Sequence, residues 1–375
     1  MNGKSLTLIK VFGLDIKVNI TWVFIALLLS WALAQGYFPA VYEGFTTATY
    51  WWMGVVGVIG LFVSIVLHEL AHSLVARSFG MEMKGITLWL LGGVAEMADE
   101  PPHPKAEFFM AIAGPILSVV LAILFLGASA LFAGNGYTPF GAVLRYLGML
   151  NLILAAFNMI PAFPLDGGRV ARAALWAWKG DYYWATDVAS RMGSIFGITL
   201  MVFGVVGALT GAGLTMLWWV ILGMFVRFAA DSSRFQMQTR HALSGRSVHD
   251  LMTTKPVTVR RDATVSELIE DWIYKYTFEF FPVVEGDELL GSVSLREVRQ
   301  VPSDQRPRVT VGEIMVPASD ENTIDAGASA SDALRKMQGT GNSLLLVTSN
   351  GALVGVIGSK DLMKIVAITS QLAPA

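Results

Sequence analysis

Long apolar runs fill the first 230 residues of the chain, and polar residues interrupt them at intervals. A transmembrane helix needs about 20 mostly apolar residues. Six runs reach or nearly reach this length: 18–38, 52–78, 106–133, 140–162, 190–210 and 213–230. Only a short Gly-Ala-Gly turn separates the last two runs, which predicts a helical hairpin. The pattern therefore predicts a polytopic α-helical membrane protein with six transmembrane helices.

The distribution of charge divides the chain into two parts. Residues 1–230 contain 23 charged side chains, about 10%, whereas residues 231–375 contain 33, about 23%. The second value is close to that of an average soluble domain. The formal net charge is −2, so there is no basic excess of the kind that favours nucleic acid. The chain has no cysteine, which excludes disulfides and thiolate ligands, so any metal must bind to histidine and carboxylate.

Lysine and arginine lie at alternate connections between the apolar runs, and this predicts the orientation. The basic connections carry Lys4, Lys10, Lys17, Arg77, Lys84, Lys105, Arg169, Arg172, Lys179, Arg191, Arg227, Arg234 and Arg240. The opposite connections have none, and Arg145 is the one exception. We therefore predict that both termini are cytoplasmic.

The first run, with Ala32-Leu33-Ala34 near its end, could alternatively be a cleaved signal peptide, but its apolar stretch exceeds the usual 7–15 residues. We predict a retained helix.

The second apolar run contains the pattern His68-Glu69-Leu70-Ala71-His72. On a helix, residues four apart share a face, so both imidazoles can bind one Zn²⁺ with Glu69 beside it as general base. The alternative is a pair of structural histidines. Ionisable side chains in an apolar helix are costly unless they are paired or bind a ligand, which favours the metal site.

A catalytic zinc site needs a third protein ligand and an open position for water. His103, His241 and His249 fall in loops or in the polar part of the chain. Asp166 is the better candidate, because it follows the fourth run near the cytoplasmic side, where the second run also ends. The prolines and glycines around it break the helix, and such backbone is tolerated at membrane depth only inside protein or beside water. The alternative for Asp166 is a helix-end carboxylate in a polar loop.

The combination of HELAH in one run and FNMIPAFPLDGGR (157–169) in a later one resembles the site-2 protease family of intramembrane zinc metalloproteases. The opening segment 13–22, the segment 85–94 and Ala113-Gly114-Pro115 resemble further parts of that family. Asn19 stands where many members have histidine, and Ser118 where many have asparagine. The resemblance covers residues 10–230.

The resemblance implies hydrolysis of peptide bonds in or near transmembrane segments of membrane-bound regulatory proteins. It implies that His68, His72 and Asp166 hold one Zn²⁺ and that Glu69 is the catalytic base. Asn158 is predicted to hydrogen-bond the substrate or its oxyanion, with a helix-to-helix hydrogen bond as the alternative. Residues 85–97 are predicted to form a re-entrant β-hairpin, which either offers a strand edge to an extended substrate or only packs.

The polar part of the chain contains an internal duplication. Residues 248–252 recur at 311–315, and later apolar segments recur in the same order. Each copy has the pattern strand, helix, strand, strand, helix, which resembles a tandem pair of CBS domains, an α/β Bateman module. We predict a transmembrane protease domain at 1–230, an irregular linker at 231–245 and CBS domains at 246–308 and 309–375.

CBS modules often bind adenine nucleotides through a Ser/Thr and an Asp after the last strand. The first copy offers Ser294 and Glu297, and the second offers Ser359 and Asp361 after Gly358, so neither has the full pattern. The alternative is a docking module or a homodimer contact. A CBS-regulated transporter or channel is the alternative for the whole chain, although residues 1–230 lack the duplicated discontinuous helices typical of transporters. A pseudoprotease scaffold is disfavoured because the four candidate active-site residues are intact.

Overall fold

The computed structural model describes residues 5–89, 92–97, 100–132, 138–211, 213–286 and 288–372. The chain divides into two compact units, residues 1–234 and 235–375. The helices that begin in the first unit are α1 (Ile20–Ala32), α2 (Phe38–Val41), α3 (Thr47–Ser78), α4 (Pro104–Leu131), α5 (Pro139–Asn158), α6 (Asp166–Lys179), α7 (Tyr182–Leu209) and α8 (Leu217–Leu243). Its strands are β1 (Ser5–Val11), β2 (Leu14–Asn19), β3 (Met83–Trp89) and β4 (Gly92–Met97).

Within the described residues, five helical segments are long and apolar enough to cross a membrane. They are Ile20–Val41, Thr47–Ser78, Pro104–Leu131, Pro139–Asn158 and Tyr182–Leu209. The first contains α1, a π-helical turn at Leu33–Tyr37 and α2. These segments confirm the prediction of a helical membrane protein and agree with five of the six predicted runs.

The predicted run at 213–230 is not among these five segments. It falls in a short 3₁₀ turn at Leu214–Met216 and in α8, where charged residues begin at Arg227. The irregular structure predicted for 231–245 is wrong, because α8 continues to Leu243. An ion pair between Arg227 and Asp231, one turn apart at 3.6 Å, favours helix at this point.

Helix α3 packs against several other elements of the first unit. In its first half, Met53 and Val58 are buried in a cluster with Phe38 and Leu147. Its second half packs on the strands and on α4 through a separate cluster of buried residues: Leu14, Val18, Leu70, Ala76, Met81, Met83, Ile86, Ala106 and Met110. The histidine pair of the HExxH motif lies in this second half, so the sheet and α4 position the site.

Strands β1 to β4 form one sheet in that order. β1 pairs antiparallel with β2, β2 pairs parallel with β3, and β3 pairs antiparallel with β4. At Gly85 an added Cβ would lie 2.7 Å from the Asp15 carbonyl oxygen, so glycine permits the close approach of β2 and β3. β3 and β4 pair antiparallel within the segment that was predicted as a re-entrant hairpin, and residues 90 and 91 lie outside the described part; whether this pair enters the membrane stays a prediction. Strands β1 and β2 were not predicted from the sequence.

The second unit is built around one eight-stranded sheet that contains both copies of the repeat. Its strands are β5 (Thr253–Thr254), β6 (Val259–Arg260), β7 (Phe280–Glu285), β8 (Glu288–Ser294), β9 (Val316–Pro317), β10 (Thr323–Asp325), β11 (Leu344–Ser349) and β12 (Ala352–Gly358). Its helices are α9 (Val248–Leu251), α10 (Val265–Glu267), α11 (Tyr274–Tyr276), α12 (Leu295–Gln300), α13 (Val311–Ile314), α14 (Ala330–Thr340) and α15 (Ser359–Leu372). A π-helical segment, Leu268–Ile273, joins α10 to α11.

The two copies exchange their first short strands. β5, near the start of the first copy, pairs with β12 of the second copy, and β9, near the start of the second copy, pairs with β8 of the first. Two cores follow the same exchange, since Val248 is buried with the second copy and Val311 with the first. Each copy has the order strand, helix, strand, strand, helix that the duplication predicted.

Candidate zinc and catalytic site

His68 and His72 lie on one face of α3 and are both buried. Their ring centroids are 4.8 Å apart in an edge-to-face arrangement. The i, i+4 spacing produces this geometry, as predicted, because the two side chains project from successive turns of the helix.

Asp166 reaches the same point from another element. It is the first residue of α6, and its Oδ2 lies 3.1 Å from His68 Nε2 and 3.2 Å from His72 Nε2. These three residues are also the one group of His, Cys, Asp and Glu side chains in the described residues whose ligand atoms converge, all within 4.8 Å of one another. Burial disfavours the ionised carboxylate of Asp166, but the two imidazoles, when they are protonated, outweigh burial and hold the pKa of this carboxyl group well below its usual range.

Two glycines bring Asp166 to this position. An added Cβ at Gly167 would lie 2.3 Å from the Met159 carbonyl oxygen, and one at Gly168 would lie 2.3 Å from the Phe163 backbone nitrogen. The start of α6 therefore packs directly on the loop that leads into it. Any larger residue at either glycine would push the helix, and Asp166 with it, away from the histidines.

The Nδ1 atom of each imidazole, which faces away from Asp166, forms a hydrogen bond to α4. His72 Nδ1 donates to the Met110 carbonyl oxygen at 2.7 Å, which leaves Nε2 free to bind a metal as the neutral tautomer. His72 Nε2 is buried without a well-formed hydrogen bond. His68 Nδ1 lies 2.9 Å from Ser118 Oγ. Hydrogen bonds of this kind orient metal-binding histidines, so Ser118, which departs from the common family pattern, lies where it can support a ligand.

Gly114 of α4 lies against the two Nε2 atoms. An added Cβ there would be 2.3 Å from His72 Nε2 and 2.7 Å from His68 Nε2. The space that a metal ion would need is thus kept open by a glycine in the Ala113-Gly114-Pro115 segment. The donor set, the free Nε2 of His72 and this open space together fit a zinc ion.

The other sequence candidates lie near the site or away from it. Glu69 is half-buried on α3, and its carboxylate has no hydrogen bond or ion pair within the described chain. Asn158 is half-buried at the end of α5. His103 lies outside the convergent group, and its Nδ1 caps α4 by accepting from the Ala106 backbone nitrogen. His241 and His249 belong to the second unit.

Two buried polar pairs were not predicted from the sequence. Arg172 of α6 donates through Nε to Glu107 Oε1 of α4 at 2.7 Å, and both side chains are buried. Asn151 of α5 donates to Ser64 Oγ of α3 at 2.9 Å, one turn before His68. The sequence did contain one indication of the first pair. Glu107 is an acidic residue inside an apolar run, and such a residue needs a polar or charged partner.

Three of the four predicted nucleotide-binding residues, Ser294, Glu297 and Asp361, form hydrogen bonds at helix starts in this structure. Ser294 Oγ and its backbone nitrogen both bond to Glu297 Oε2, at 2.6 and 2.8 Å. Asp361 Oδ2 accepts from the Gly358 backbone nitrogen at 2.9 Å. A cavity of about 510 Å³ in this unit lies elsewhere. It is lined by His249, Met252, Thr254, Lys255, Pro256, Ala326, Ser349, Leu353 and Val354.

Similarity to known proteins covers both parts of the chain. The profile of Peptidase family M50 matches residues 56–141 and 135–204, and that of the CBS domain matches 248–304 and 311–368. The chain is 32% identical over 369 residues to the "Putative zinc metalloprotease Rip3" of Mycobacterium tuberculosis, covering 97% of this chain and 93% of the relative. It is 30% identical to the "Zinc metalloprotease MJ0392" of Methanocaldococcus jannaschii, covering 97% and 96%.

Among solved structures, the "Site-2 Protease from Methanocaldococcus jannaschii" is 34% identical and covers 62% of this chain and 95% of that chain, with a TM-score of 0.44. The match to the relatives runs through both units, from the HExxH helix to the CBS pair. The chain therefore belongs to peptidase family M50, the site-2 proteases, and is a zinc metalloprotease with a tandem CBS pair.

Proposed function

We propose that His68 Nε2, His72 Nε2 and Asp166 Oδ2 are the protein ligands of the catalytic zinc. The observation that supports this most is the convergence of the three donor atoms from α3 and α6. Three ligands leave a fourth position for water or substrate, as catalytic zinc requires. The family membership also disfavours the alternative of a CBS-regulated transporter or channel, since the full-length relatives are named metalloproteases.

Zinc, when bound, acts as a Lewis acid that makes the attacking water more acidic and polarises the scissile carbonyl. Glu69 then acts as the base: its carboxylate takes a proton from water as the water oxygen bonds to the carbonyl carbon. The same carboxyl group returns the proton to the amine nitrogen as the C–N bond breaks. Its position next to His68, and the absence of a competing partner within the described chain, support this role.

Asn158 is proposed to stabilise the oxyanion. Its amide is half-buried and has no hydrogen-bond partner among the described residues, so it is available to donate to a substrate oxygen. It precedes the loop to Asp166, which keeps it on the segment that carries the third ligand. The alternative, a helix-to-helix hydrogen bond, has less support, because α5 uses Asn151 for that purpose.

The substrate is proposed to be a transmembrane or membrane-associated regulatory protein, which pairs with the sheet as an extended strand. β3 already has β2 and β4 as neighbours, so within the described β3–β4 pair the free edge is that of β4, whereas β1 is the edge strand at the other side of the sheet. A proline on β4 removes one N–H, and neighbouring residues of a strand point their N–H groups to opposite edges. One of the two variants Val94→Pro and Ala95→Pro therefore removes an N–H from the outer edge of β4. That variant is expected to reduce cleavage while the protein keeps its zinc. Full cleavage by both variants would contradict strand pairing.

We further propose six membrane spans, with the start of α8 as the sixth. α7 and α8 pack back to back, since an added Cβ at Gly197 would lie 2.7 Å from the Gly223 carbonyl oxygen. Trp218, Ile221 and Phe228 remain exposed on the outer side of α8, as lipid contact requires. With six spans both termini lie on the same side of the membrane, and the basic connections between the spans favour the cytoplasmic side for them and for the CBS pair. We place the domain boundaries near 230, 246 and 309.

This topology can be measured with single cysteines, because the natural chain has none. In intact cells, Glu43→Cys in the turn before α3 should react with a membrane-impermeant maleimide. Ser303→Cys in the second unit should react only after permeabilisation. The reverse pattern would overturn the orientation.

The CBS pair is proposed to modulate cleavage by binding an adenine nucleotide. Ser294, Glu297, Ser359 and Asp361 lie at the starts of α12 and α15, after the last strand of each copy. Titration of the full chain with ATP and AMP tests this, with Asp361→Asn as the matched variant. Saturable binding that the variant weakens supports the proposal. No binding, together with dimers in light scattering, would favour a homodimer module.

The zinc-ligand assignment is tested by metal content and by cleavage of single-span reporters in proteoliposomes. His68→Ala, His72→Ala and Asp166→Ala should each lose zinc and activity. Arg227→Gln in α8, outside the site, should retain both. An Asp166→Ala protein with stoichiometric zinc and normal cleavage would remove Asp166 from the site.

A further inference from the structure

A buried ion pair connects the two elements that surround the zinc ligands. Glu107 of α4 is 0% exposed and Arg172 of α6 is 6% exposed. The guanidinium donates to Glu107 Oε1 through both Nε and Nη2. Within the described residues this is the one Arg–Glu pair with both members buried.

The same guanidinium contacts the loop before Asp166 and the start of α7. Its Cζ lies 4.9 Å from the ring centroid of Phe163 and 5.1 Å from that of Tyr182. Its Nη1 lies 3.4 Å from Thr186 Oγ1. Arg172 therefore joins α4, α6, α7 and the loop through one rigid, planar group.

Both members of the pair are close in sequence to groups that shape the site. Arg172 follows Asp166 by six residues, about 9 Å along α6. Glu107 precedes Met110, whose carbonyl oxygen holds His72, by three residues, and it precedes Gly114 by two helical turns. A shift of α6 along α4 would thus move Asp166 relative to the two imidazoles.

The pair is poorly explained as a source of stability alone. Removing two charges from water is expensive, and well-packed apolar residues of similar volume are often as stable or more so. Glu107 Oε2 is also buried without a hydrogen-bond partner in the described part of the chain. A pair with one unsatisfied oxygen is better explained by the position that it fixes.

We propose that Arg172 and Glu107 are positioning residues that set the register of α6 on α4 and hence the place of Asp166 in the zinc site. This inference rests on the proposed zinc ligands. Asp166 supplies the third donor, so a displaced α6 weakens zinc binding even when every ligand is present. Supporting groups beyond the ligands typically change metal affinity by about 10–100-fold.

The test is the zinc affinity of the full chain in detergent, measured by competition with a fluorescent chelator. The double variant Glu107→Met/Arg172→Met replaces the pair with apolar groups and leaves no buried charge unpaired. We expect a melting temperature at or above that of the wild type, with zinc affinity reduced about 10–100-fold. Asp187→Asn/Arg234→Gln, which removes an ion pair between α7 and α8, is the matched control and should bind zinc normally.

Arg172→Lys is a second variant, because it keeps the charge but loses the planar fork. It should bind zinc more weakly than the wild type and more tightly than the double variant. If the double variant binds zinc as the wild type does, the inference is wrong. If the double variant does not fold, a wild-type zinc affinity of Arg172→Lys would likewise show that the inference is wrong. A wild type that binds no zinc would instead overturn the proposed zinc site itself.

Discussion

Replacing Gly114 by alanine tests the geometry of the zinc site with a single carbon atom. The new Cβ would lie 2.3 Å from His72 Nε2, 2.6 Å from its Cε1 and 2.7 Å from His68 Nε2. Non-bonded carbon contacts are favourable at about 3.5–4.0 Å. Even to reach 3.0 Å, the His72 ring must move by at least about 0.7 Å. A displacement on the order of 1 Å at a catalytic group can cost about 100-fold in rate.

The added carbon also occupies the space that the metal would use. Zinc binds imidazole nitrogen at about 2.0–2.1 Å, and the new Cβ comes almost as close to Nε2. We therefore expect Gly114→Ala to lose most of its zinc, with cleavage of a single-span reporter reduced at least about 100-fold. The helix itself should not suffer, because alanine is favoured over glycine by about 0.5–1 kcal/mol in a helix interior.

Gly127→Ala in the same helix is the matched control. No atom lies within 4 Å of its added Cβ, so zinc content and cleavage should equal those of the wild type. Metal content by mass spectrometry and initial cleavage rates, compared at equal helicity, measure both variants. If Gly114→Ala contains one zinc per chain and cleaves normally, the proposed arrangement of the imidazoles around the ion is wrong.

Three further predictions concern groups around the site and in the second unit. Ser118→Ala removes the partner of an imidazole nitrogen and should weaken zinc binding about 10-fold in chelator competition, whereas unchanged affinity would exclude a supporting role. Asn158→Ala should keep its zinc but lower kcat about 100-fold, and an unchanged kcat would exclude oxyanion stabilisation. Hydrogen bonds at helix caps hold the pKa values of Asp250, Glu267 and Glu313 below their usual range. The stability that these ionised carboxylates contribute is therefore present above about pH 4.5 and is lost as the pH falls through their folded-state pKa values. Replacing all three by Asn or Gln should therefore flatten the acid-side fall in the melting temperature of the second unit, and an equally steep fall would contradict this source of acid sensitivity.

The sequence predicted those features that depend on local periodicity. Apolar runs of sufficient length indicate membrane helices, and i, i+4 spacing places His68 and His72 on one face. The duplication predicted the repeated order of elements in the second unit. Asp166 was also predicted as a ligand, because prolines and glycines break the helix around it and because it lies at about the same membrane depth as the histidines. The structure places it next to both histidines.

Features that depend on packing between distant segments were not predicted. β2 pairs with β3 although α1, α2 and α3 lie between them in the sequence, and no local pattern shows that pairing. The irregular linker was wrong because polar composition does not exclude helix, and α8 passes through it. Gly114 as the space for a metal, and Arg172 as a partner of Glu107, depend on contacts between helices that a single sequence does not reveal.

We propose that the convergent histidines and aspartate hold zinc for a Glu69-dependent hydrolysis. Zinc content and reporter cleavage of the wild type and Glu69→Gln in proteoliposomes separate metal binding from proton transfer. We expect about one zinc per chain in both proteins, with cleavage by the wild type alone, because Gln keeps the shape but cannot accept a proton. Equal cleavage by Glu69→Gln, or a folded wild type without zinc that was never exposed to chelator, would contradict this proposal.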